Sequence, residues 1–167
     1  AGYHFNLGLL LLNERQDVDG AEKAYRAAIK ADPGDADAHN NLGFLLLNER
    51  QDVDGAEKAY RAAIEANPRN ADTIAKAHNC LGALFCDERN DLDAAEASFR
   101  HAIAADRFYI PPHENLVIVN HDRAEERETA GDLRGALACL DQAAKHVADA
   151  KALGHPDGSE LDQWIGD

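Results

Sequence analysis

Apolar positions in this chain recur at the three- and four-residue spacing of amphipathic α-helices, and the helical segments come in pairs. In one pair, the first segment has its apolar face on Ala38, Leu42, Leu45 and Leu46. The second has small and aromatic residues at helical spacing, namely Ala56, Ala59, Tyr60, Ala63 and Ile64. This periodicity predicts two antiparallel helices, A and B, that pack tightly because small alanines face single aromatic rings.

Turn and capping residues predict where these helices begin and end. Asp35 is a good N-cap for helix A of this pair. We expect Asp54 to cap helix B, with Glu57 three residues later completing a capping box. Pro68 is expected to stop helix B. The same capping arrangement is predicted for Asp19 with Glu22 and for Asp93 with Glu96.

The helix pair is itself repeated along the chain. Residues 10–29 and 45–64 are identical, letter for letter, at an offset of 35 residues. A leucine, followed by glycine in the first three cases, recurs as Leu7, Leu42, Leu81 and Leu116. A histidine stands three residues before each leucine, at His4, His39, His78 and His113. A fixed period of this length is the signature of stacked repeat proteins, which present a long surface rather than one pocket.

The repeat is written H-x2-L-G-x2-[L/F], then A-x3-[Y/F]-x2-A, then P. This pattern resembles the tetratricopeptide repeat, W-x2-L-G-x2-Y…A-x3-F…P, over about nine-tenths of the chain. Histidine replaces the usual large aromatic residue, and the period is 35 rather than 34 residues. The resemblance implies an all-α, right-handed superhelical solenoid of about four helix-turn-helix hairpins with a C-terminal cap.

We divide the chain accordingly into a solenoid over residues 1–153 and a capping tail over residues 154–167. The units cover about 1–35, 36–70, 75–109 and 110–153, with a four-residue insertion at 71–74. Four residues make about one helical turn, so we expect the insertion to lengthen the third helix A at its start.

Unit four departs from the other units. Val117 replaces the glycine, prolines 111 and 112 suit the first turn of helix A, and this helix should run to about Thr129. We expect Trp164 and Ile165 of the tail to fold back onto the last helix pair.

The resemblance also implies that the A helices line the concave face and that a ligand lies there. On helix A, the residue before the leucine shares one side with the residues one and four after the glycine. The candidate peptide-binding groove comprises Asn6, Leu9, Asn40, Asn41, Phe44, Leu47, Asn48, Asn79, Ala83, Cys86, Asn115 and Ile118.

The asparagines are the main evidence for this hypothesis. A primary amide both donates and accepts hydrogen bonds, so it can bind the N–H and the C=O of a peptide group. The string from His39 to Gly43 looks like the asparagine ladders of family members that bind extended peptides, such as the superhelical domain of O-linked N-acetylglucosamine transferase. Two alternatives stay open. The amides would instead bond neighbouring helices, and Leu9, Phe44 and Leu47 would instead pack within the superhelix.

Family members that bind C-terminal carboxylates use several basic residues on this face. Here only Lys76 is available, so we expect a neutral to apolar ligand.

Composition narrows the classes of partner and the cellular location that we expect. The net charge of −14 repels phosphate backbones, so we expect no nucleic acid as partner. No apolar run is long enough to span a bilayer. The three cysteines cannot all pair and favour free thiols in the cytoplasm. The chain begins at Ala1, so an upstream segment could have been removed.

We expect no catalytic residues, cofactor or metal site. No P-loop, Rossmann or GxSxG motif occurs. The four periodic histidines stand one per unit, and packed helices are about 8–10 Å apart, whereas zinc ligands converge within about 2 Å of the ion. We therefore expect them to fill a packing niche between helices, and His146 has no partner at ligand spacing.

These observations predict a non-catalytic scaffold for protein–protein interaction. The near identity of units one and two makes head-to-tail or domain-swapped self-association a second hypothesis. The chain could also be a fragment of a longer array or the accessory domain of a larger protein. The identical stretches fit either recent duplication or deliberate construction.

Overall fold

A computed structural model of the chain describes residues 2–67 and 69–154, and all regular structure in that part is helical. The A helices are α1 (Gly2–Arg15), α3 (Ala36–Asn48), α5 (Ala71–Asp87) and α7 (Pro111–Thr129). The B helices are α2 (Val18–Ala31), α4 (Val53–Ala66), α6 (Leu92–Ala105) and α8 (Leu133–Ala152). Each A helix packs on the B helix that follows it, and each B helix contacts the next A helix. The fold is the predicted right-handed superhelical solenoid.

Aspartates cap α2, α3, α4, α6 and α8, although not always the aspartates expected. The carboxylate of Asp35 accepts a hydrogen bond from the backbone N–H of Ala38 at 3.0 Å, which confirms the predicted N-cap of α3. The prediction of Asp54 as the cap of α4 is wrong. Asp52 is the N-cap and accepts from the N–H of Gly55 at 2.9 Å, because the helix already begins at Val53.

The same correction applies to the other B helices. Asp17 caps α2 and Asp91 caps α6, each through the N–H three residues on. Asp19 and Asp93 therefore lie inside the first turn, where an acidic side chain faces the positive end of the helix dipole. A D-x-D sequence offers two candidate caps, and here the first of them is the one used.

The spacing within each hairpin depends on the glycine of helix A. A Cβ added at Gly43 would lie 2.7 Å from Cε1 of Tyr60, closer than real Cβ contacts come. The ring of Tyr60 is 1% exposed and fills this space. Gly8 with Tyr25 and Gly82 with Phe99 repeat the contact at 2.6 Å. The absence of a Cβ at these positions therefore lets the aromatic ring of the paired helix lie against the backbone of helix A.

In unit four, the two helices pack together without the glycine and the aromatic ring. Val117 stands at the glycine position and is fully buried. It packs in a cluster with Ala143, Val147 and Ala150 of α8. Leu140 stands where the other units carry an aromatic ring, so a side chain on α7 fills the space that a ring on helix B fills elsewhere.

Helix lengths agree with the predicted departures from regularity. The third helix A begins at Ala71 and has 17 residues against 13 in α3, so the insertion does lengthen its start. The fourth runs to Thr129, with Pro111 and Pro112 in its first turn. Residues 155–167, including the proposed lid residues Trp164 and Ile165, lie outside the described part of the chain.

Ion pairs join each unit to the next, between an arginine of one unit and two acidic residues near the start of the preceding helix B. Arg89, which follows the end of α5, binds Asp54 and Glu57 in the first two turns of α4. Arg50 likewise binds Asp19 and Glu22, and Arg123 binds Asp93 and Glu96. We call these contacts the inter-repeat ion pairs. Because most of these groups are partly exposed, each pair contributes about 0.2–1 kcal/mol and mainly fixes how the units meet.

Contacts between helices of the same kind give the direction of curvature. The A helices α3 and α5 contact each other, as do α5 and α7. Within residues 2–67 and 69–154, no two B helices contact each other to the same extent. The A helices therefore form the inner, concave face of the solenoid and the B helices its outer face.

Gly43→Ala should lower the free energy of unfolding by up to about 2 kcal/mol. The added methyl group meets the buried Tyr60 ring, and the cost of overpacking, about 1–3 kcal/mol, exceeds the gain in helix propensity of about 1 kcal/mol. Urea denaturation followed by circular dichroism measures the change. Gly2→Ala is the control, since a Cβ there meets nothing within 4 Å. Equal stability of the two variants would contradict the role assigned to the glycine.

Candidate functional site

The residues of the candidate peptide-binding groove form a strip along the concave face, and the apolar side chains of this strip divide into two groups. Leu9 and Leu47 are half-buried and pack against the core cluster that runs through the first three units. Phe44 is 48% exposed and Ile118 is 36% exposed. For Leu9 and Leu47 the structure supports packing within the superhelix, whereas Phe44 and Ile118 are open to a ligand.

Unit three carries small side chains between these two exposed residues. Ala83 and Cys86 of α5 are half-buried, and α5 lies between α3 and α7 in the stack. The cysteines of the described chain are unpaired, as predicted. Burial raises the pKa of the Cys86 thiol, so this side chain is a small apolar group rather than a nucleophile.

The asparagines bond to their own helix in two cases. Nδ2 of Asn41 donates to the carbonyl oxygen of Asp37 at 2.8 Å. Nδ2 of Asn48 donates to the carbonyl oxygen of Phe44 at 2.9 Å. Such bonds fix the rotamer and leave the amide oxygen and one amide hydrogen of each side chain for other partners.

The two later asparagines bond across the interface between units. Nδ2 of Asn115 on α7 donates to Oδ1 of Asn79 on α5 at 3.0 Å. This is the alternative in which the amides link neighbouring helices. The pair still has a donor on Asn79 and an acceptor on Asn115, because each amide has more than one hydrogen-bonding site.

The remaining asparagines of the strip show two further environments. Asn6 is exposed on α1. Asn40 is half-buried, and its Oδ1 is buried without a hydrogen-bond partner among the described residues. A buried acceptor of this kind usually has a partner in native proteins.

Charge on this face disfavours a carboxylate clamp. Lys76 is the basic residue available there, and its ammonium group binds Asp72 one turn earlier at 2.7 Å. A C-terminal carboxylate would have to displace this ion pair within a chain of net charge −14.

Clefts occur on both faces of the solenoid. On the concave face, Leu12, Asn13, Phe44 and Glu49 line one of about 610 Å³. On the outer face, grooves of about 450 and 360 Å³ lie between successive B helices. Their apolar walls are Ile29, Leu42 and Leu46 in one and Ile64, Leu81 and Phe85 in the other. These outer grooves were not predicted from the sequence, although Ile29 and Ile64 are equivalent residues of the identical stretches.

Comparison with known proteins agrees with the architecture. A sequence profile of the tetratricopeptide repeat matches residues 5–71. Residues 5–71 therefore belong to the tetratricopeptide-repeat family, and the chain as a whole has the tetratricopeptide-repeat fold. Proteins built from this repeat are interaction scaffolds, they bind protein partners, and they are typically non-catalytic.

Solved structures with the same fold span nearly the whole chain. The MamA protein superposes with a TM-score of 0.62 and 17% identity, over 98% of this chain and 88% of its own. A thermophilic tetratricopeptide-repeat protein of Thermus thermophilus gives a TM-score of 0.55 and 20% identity over 98% and 96%. YrrB, described as having an unusual peptide-binding site, gives a TM-score of 0.58 and 16% identity over 97% and 82%. Among curated protein sequences there is no match.

In the described part of the chain, every helix is too short or too polar to cross a bilayer.

Phe44→Ala and Leu45→Ala should differ sharply in their effect on stability. Leu45 is 0% exposed, so its truncation should cost about 2–5 kcal/mol. Phe44 is half-exposed, and its truncation should cost less than about 1 kcal/mol. Urea denaturation of both variants measures the difference. A similar loss in the two would show that Phe44 is a packing residue rather than an accessible one.

Proposed function

We propose that the tetratricopeptide-repeat protein binds an extended, neutral to apolar peptide segment of a partner protein along its concave face. The observation that carries this proposal is the exposure of Phe44 and Ile118 on the same inner strip as the primary amides of Asn41, Asn79 and Asn115. An exposed aromatic ring beside rigid polar groups is a common arrangement at peptide-binding surfaces.

The amides are suited to the main chain of an extended peptide. Asn41 is held by its bond to Asp37 and offers its oxygen to a peptide N–H. The Asn79–Asn115 pair is fixed at 3.0 Å and offers a donor and an acceptor side by side. Because these groups are already oriented, little side-chain entropy is lost when a ligand binds.

Apolar contact and charge define the chemistry of the ligand. Phe44 on α3 and Ile118 on α7 lie on either side of α5 in the stack, and α5 carries the small Ala83 and Cys86, so the apolar side chains of the peptide would contact this part of the strip. The pairing of Lys76 with Asp72 removes the basic group that a terminal carboxylate would need. A peptide-binding site is described for YrrB, which has the same fold, and this supports the proposal.

Peptides selected from a random library displayed on phage are the probe for this proposal. Asn41→Ala should weaken the binding of a selected peptide by about 1 kcal/mol or more, the scale of one buried hydrogen bond. Phe44→Ala should weaken binding at least as much. Isothermal titration calorimetry with synthetic peptides measures both effects.

Two control variants distinguish the faces. Phe108 is 64% exposed in the connection after α6, so Phe108→Ala should leave the affinity unchanged. Ala62→Arg fills the outer groove between α2 and α4 and should also leave it unchanged. Loss of binding in Ala62→Arg, with full binding in folded Asn41→Ala and Phe44→Ala, would move the site to the outer face.

Self-association is the second candidate, and one pair of residues favours it. Leu10 and Leu45 are equivalent in the identical stretches, yet Leu10 is 46% exposed and Leu45 is fully buried. Leu45 lies in the core cluster with Ala21 and Tyr25 of unit one. A second copy of the chain would be one way to cover Leu10.

The inter-repeat ion pairs oppose the head-to-tail form of this association. In unit four, Arg134 and Leu137 stand at the positions that hold Asp93 and Glu96 in unit three. Arg15, the equivalent of Arg50, would therefore meet an arginine instead of two acids. Like charges placed opposite each other are unfavourable at such a junction.

We therefore expect the chain to be a monomer of about 18.1 kDa in light scattering across a range of concentrations. A concentration-dependent mass that Leu10→Asp abolishes would instead support self-association through α1.

A further inference from the structure

The end of the last helix pair brings together three side chains that commonly bind metals. His113 lies in the first turn of α7, and His146 and Asp149 lie in the last two turns of α8. One ligand atom from each residue lies within 4.8 Å of the other two. Nδ1 of His113 is 3.9 Å from Oδ2 of Asp149, and the two imidazole centroids are 5.9 Å apart.

His113 is a buried polar side chain without a hydrogen-bond partner. Its exposure is 6%, and both ring nitrogens are buried and make no hydrogen bond among the described residues. The same is true of Nδ1 of His146. A separation of 3.9 Å to Asp149 is too long for a hydrogen bond. Polar atoms buried in this way normally have a partner, and a cation held by all three residues would be one.

The cluster arises from a feature particular to unit four. Helix α8 has 20 residues against 14 in α6. Ala105, the last residue of α6, holds the position of His146, and the equivalent of Asp149 falls beyond that helix. Residues three apart share one face of a helix, so the extension of α8 presents His146 and Asp149 together towards His113.

A second histidine pair in the protein lacks the third ligand. The rings of His78 on α5 and His101 on α6 have centroids 5.1 Å apart. Within residues 2–67 and 69–154, His113, His146 and Asp149 form the one group of three potential ligands. The His78–His101 pair is therefore a matched control in the same fold.

We propose that His113, His146 and Asp149 bind a divalent transition-metal ion of the zinc class. Two imidazole nitrogens and one carboxylate oxygen suit Zn²⁺, Co²⁺ or Ni²⁺ rather than Ca²⁺ or Mg²⁺, which prefer oxygen ligands alone. Zinc ligands at about 2.0–2.2 Å in a tetrahedron are about 3.3 Å apart. Rotation of Asp149, whose side chain is 61% exposed, and of the half-buried His146 closes the remaining distance.

The environment of the imidazoles agrees with this geometry. Zinc binds neutral imidazole, and burial lowers the pKa of both His113 and His146. Three protein ligands leave a fourth position for water. The turn after Thr129 joins the end of α7 to the start of α8. The ion would connect the opposite end of the hairpin, where α7 starts and α8 ends.

This inference modifies the expectation from the sequence that the chain has no metal site. That expectation was based on the equivalent histidines of different units, which stand too far apart to bind one ion. The cluster instead combines one periodic histidine with His146, which stands where the other units carry an alanine.

Titration of the full, EDTA-treated chain with Zn²⁺ by calorimetry tests the proposal. We expect one bound ion per chain, and Co²⁺ should give the visible absorption of a low-coordinate nitrogen and oxygen site. At about 100 times the dissociation constant, Zn²⁺ should raise the melting temperature by about 5–10 °C. Ca²⁺ at the same concentration should not.

Variants of the exposed side of the cluster give the decisive comparison. His146→Gln and Asp149→Asn should each weaken Zn²⁺ binding by about tenfold or more, since even the loss of outer-shell partners costs about 10–100-fold. His101→Gln should bind like the parent chain. Circular dichroism establishes that each variant is folded. Absence of zinc binding to the parent chain, or equal affinity in folded His146→Gln and Asp149→Asn, would overturn the proposal.

Discussion

The contact between a glycine of helix A and an aromatic ring of helix B sets the geometry of this protein. With no Cβ at Gly8, Gly43 and Gly82, the ring from the paired helix lies directly on the backbone. This contact fixes the separation of the two helices in each hairpin. Hairpins of equal thickness then stack regularly, and regular stacking is what turns the A helices into a continuous inner surface.

The polar side chains at the junctions between units have a different role from the packed core. Inter-repeat ion pairs are partly exposed and add little stability, but they match one unit to the next, and the sequence of unit four lacks their acidic residues. The Asn79–Asn115 bond lies on the inner side of a junction and orders two amides of the strip. The surface proposed for peptide binding is therefore rigid where units meet and open at Phe44 and Ile118.

Much of this architecture could be predicted from the sequence because its causes are local. Helical periodicity, the period of 35 residues and the Leu-Gly dipeptide indicated the number of units, the long α7 and the lengthened start of α5. The N-caps of the B helices were misplaced by two residues because Asp52 and Asp54 are equally good caps in isolation. The pairing of Asn79 with Asn115 and the grouping of His113 with His146 and Asp149 depend on contacts between helices, which periodicity does not encode.

The identical stretches at residues 10–29 and 45–64 place one amino-acid sequence in two surroundings within the same molecule. Intrinsic helix propensity, side-chain entropy and the N-caps of the B helices, Asp17 and Asp52, are the same for both. Any difference in amide hydrogen exchange between them thus reports only on the neighbours that cover Leu45 and leave Leu10 uncovered. The energetic coupling between adjacent units can be read from this chain by itself, with sequence held constant.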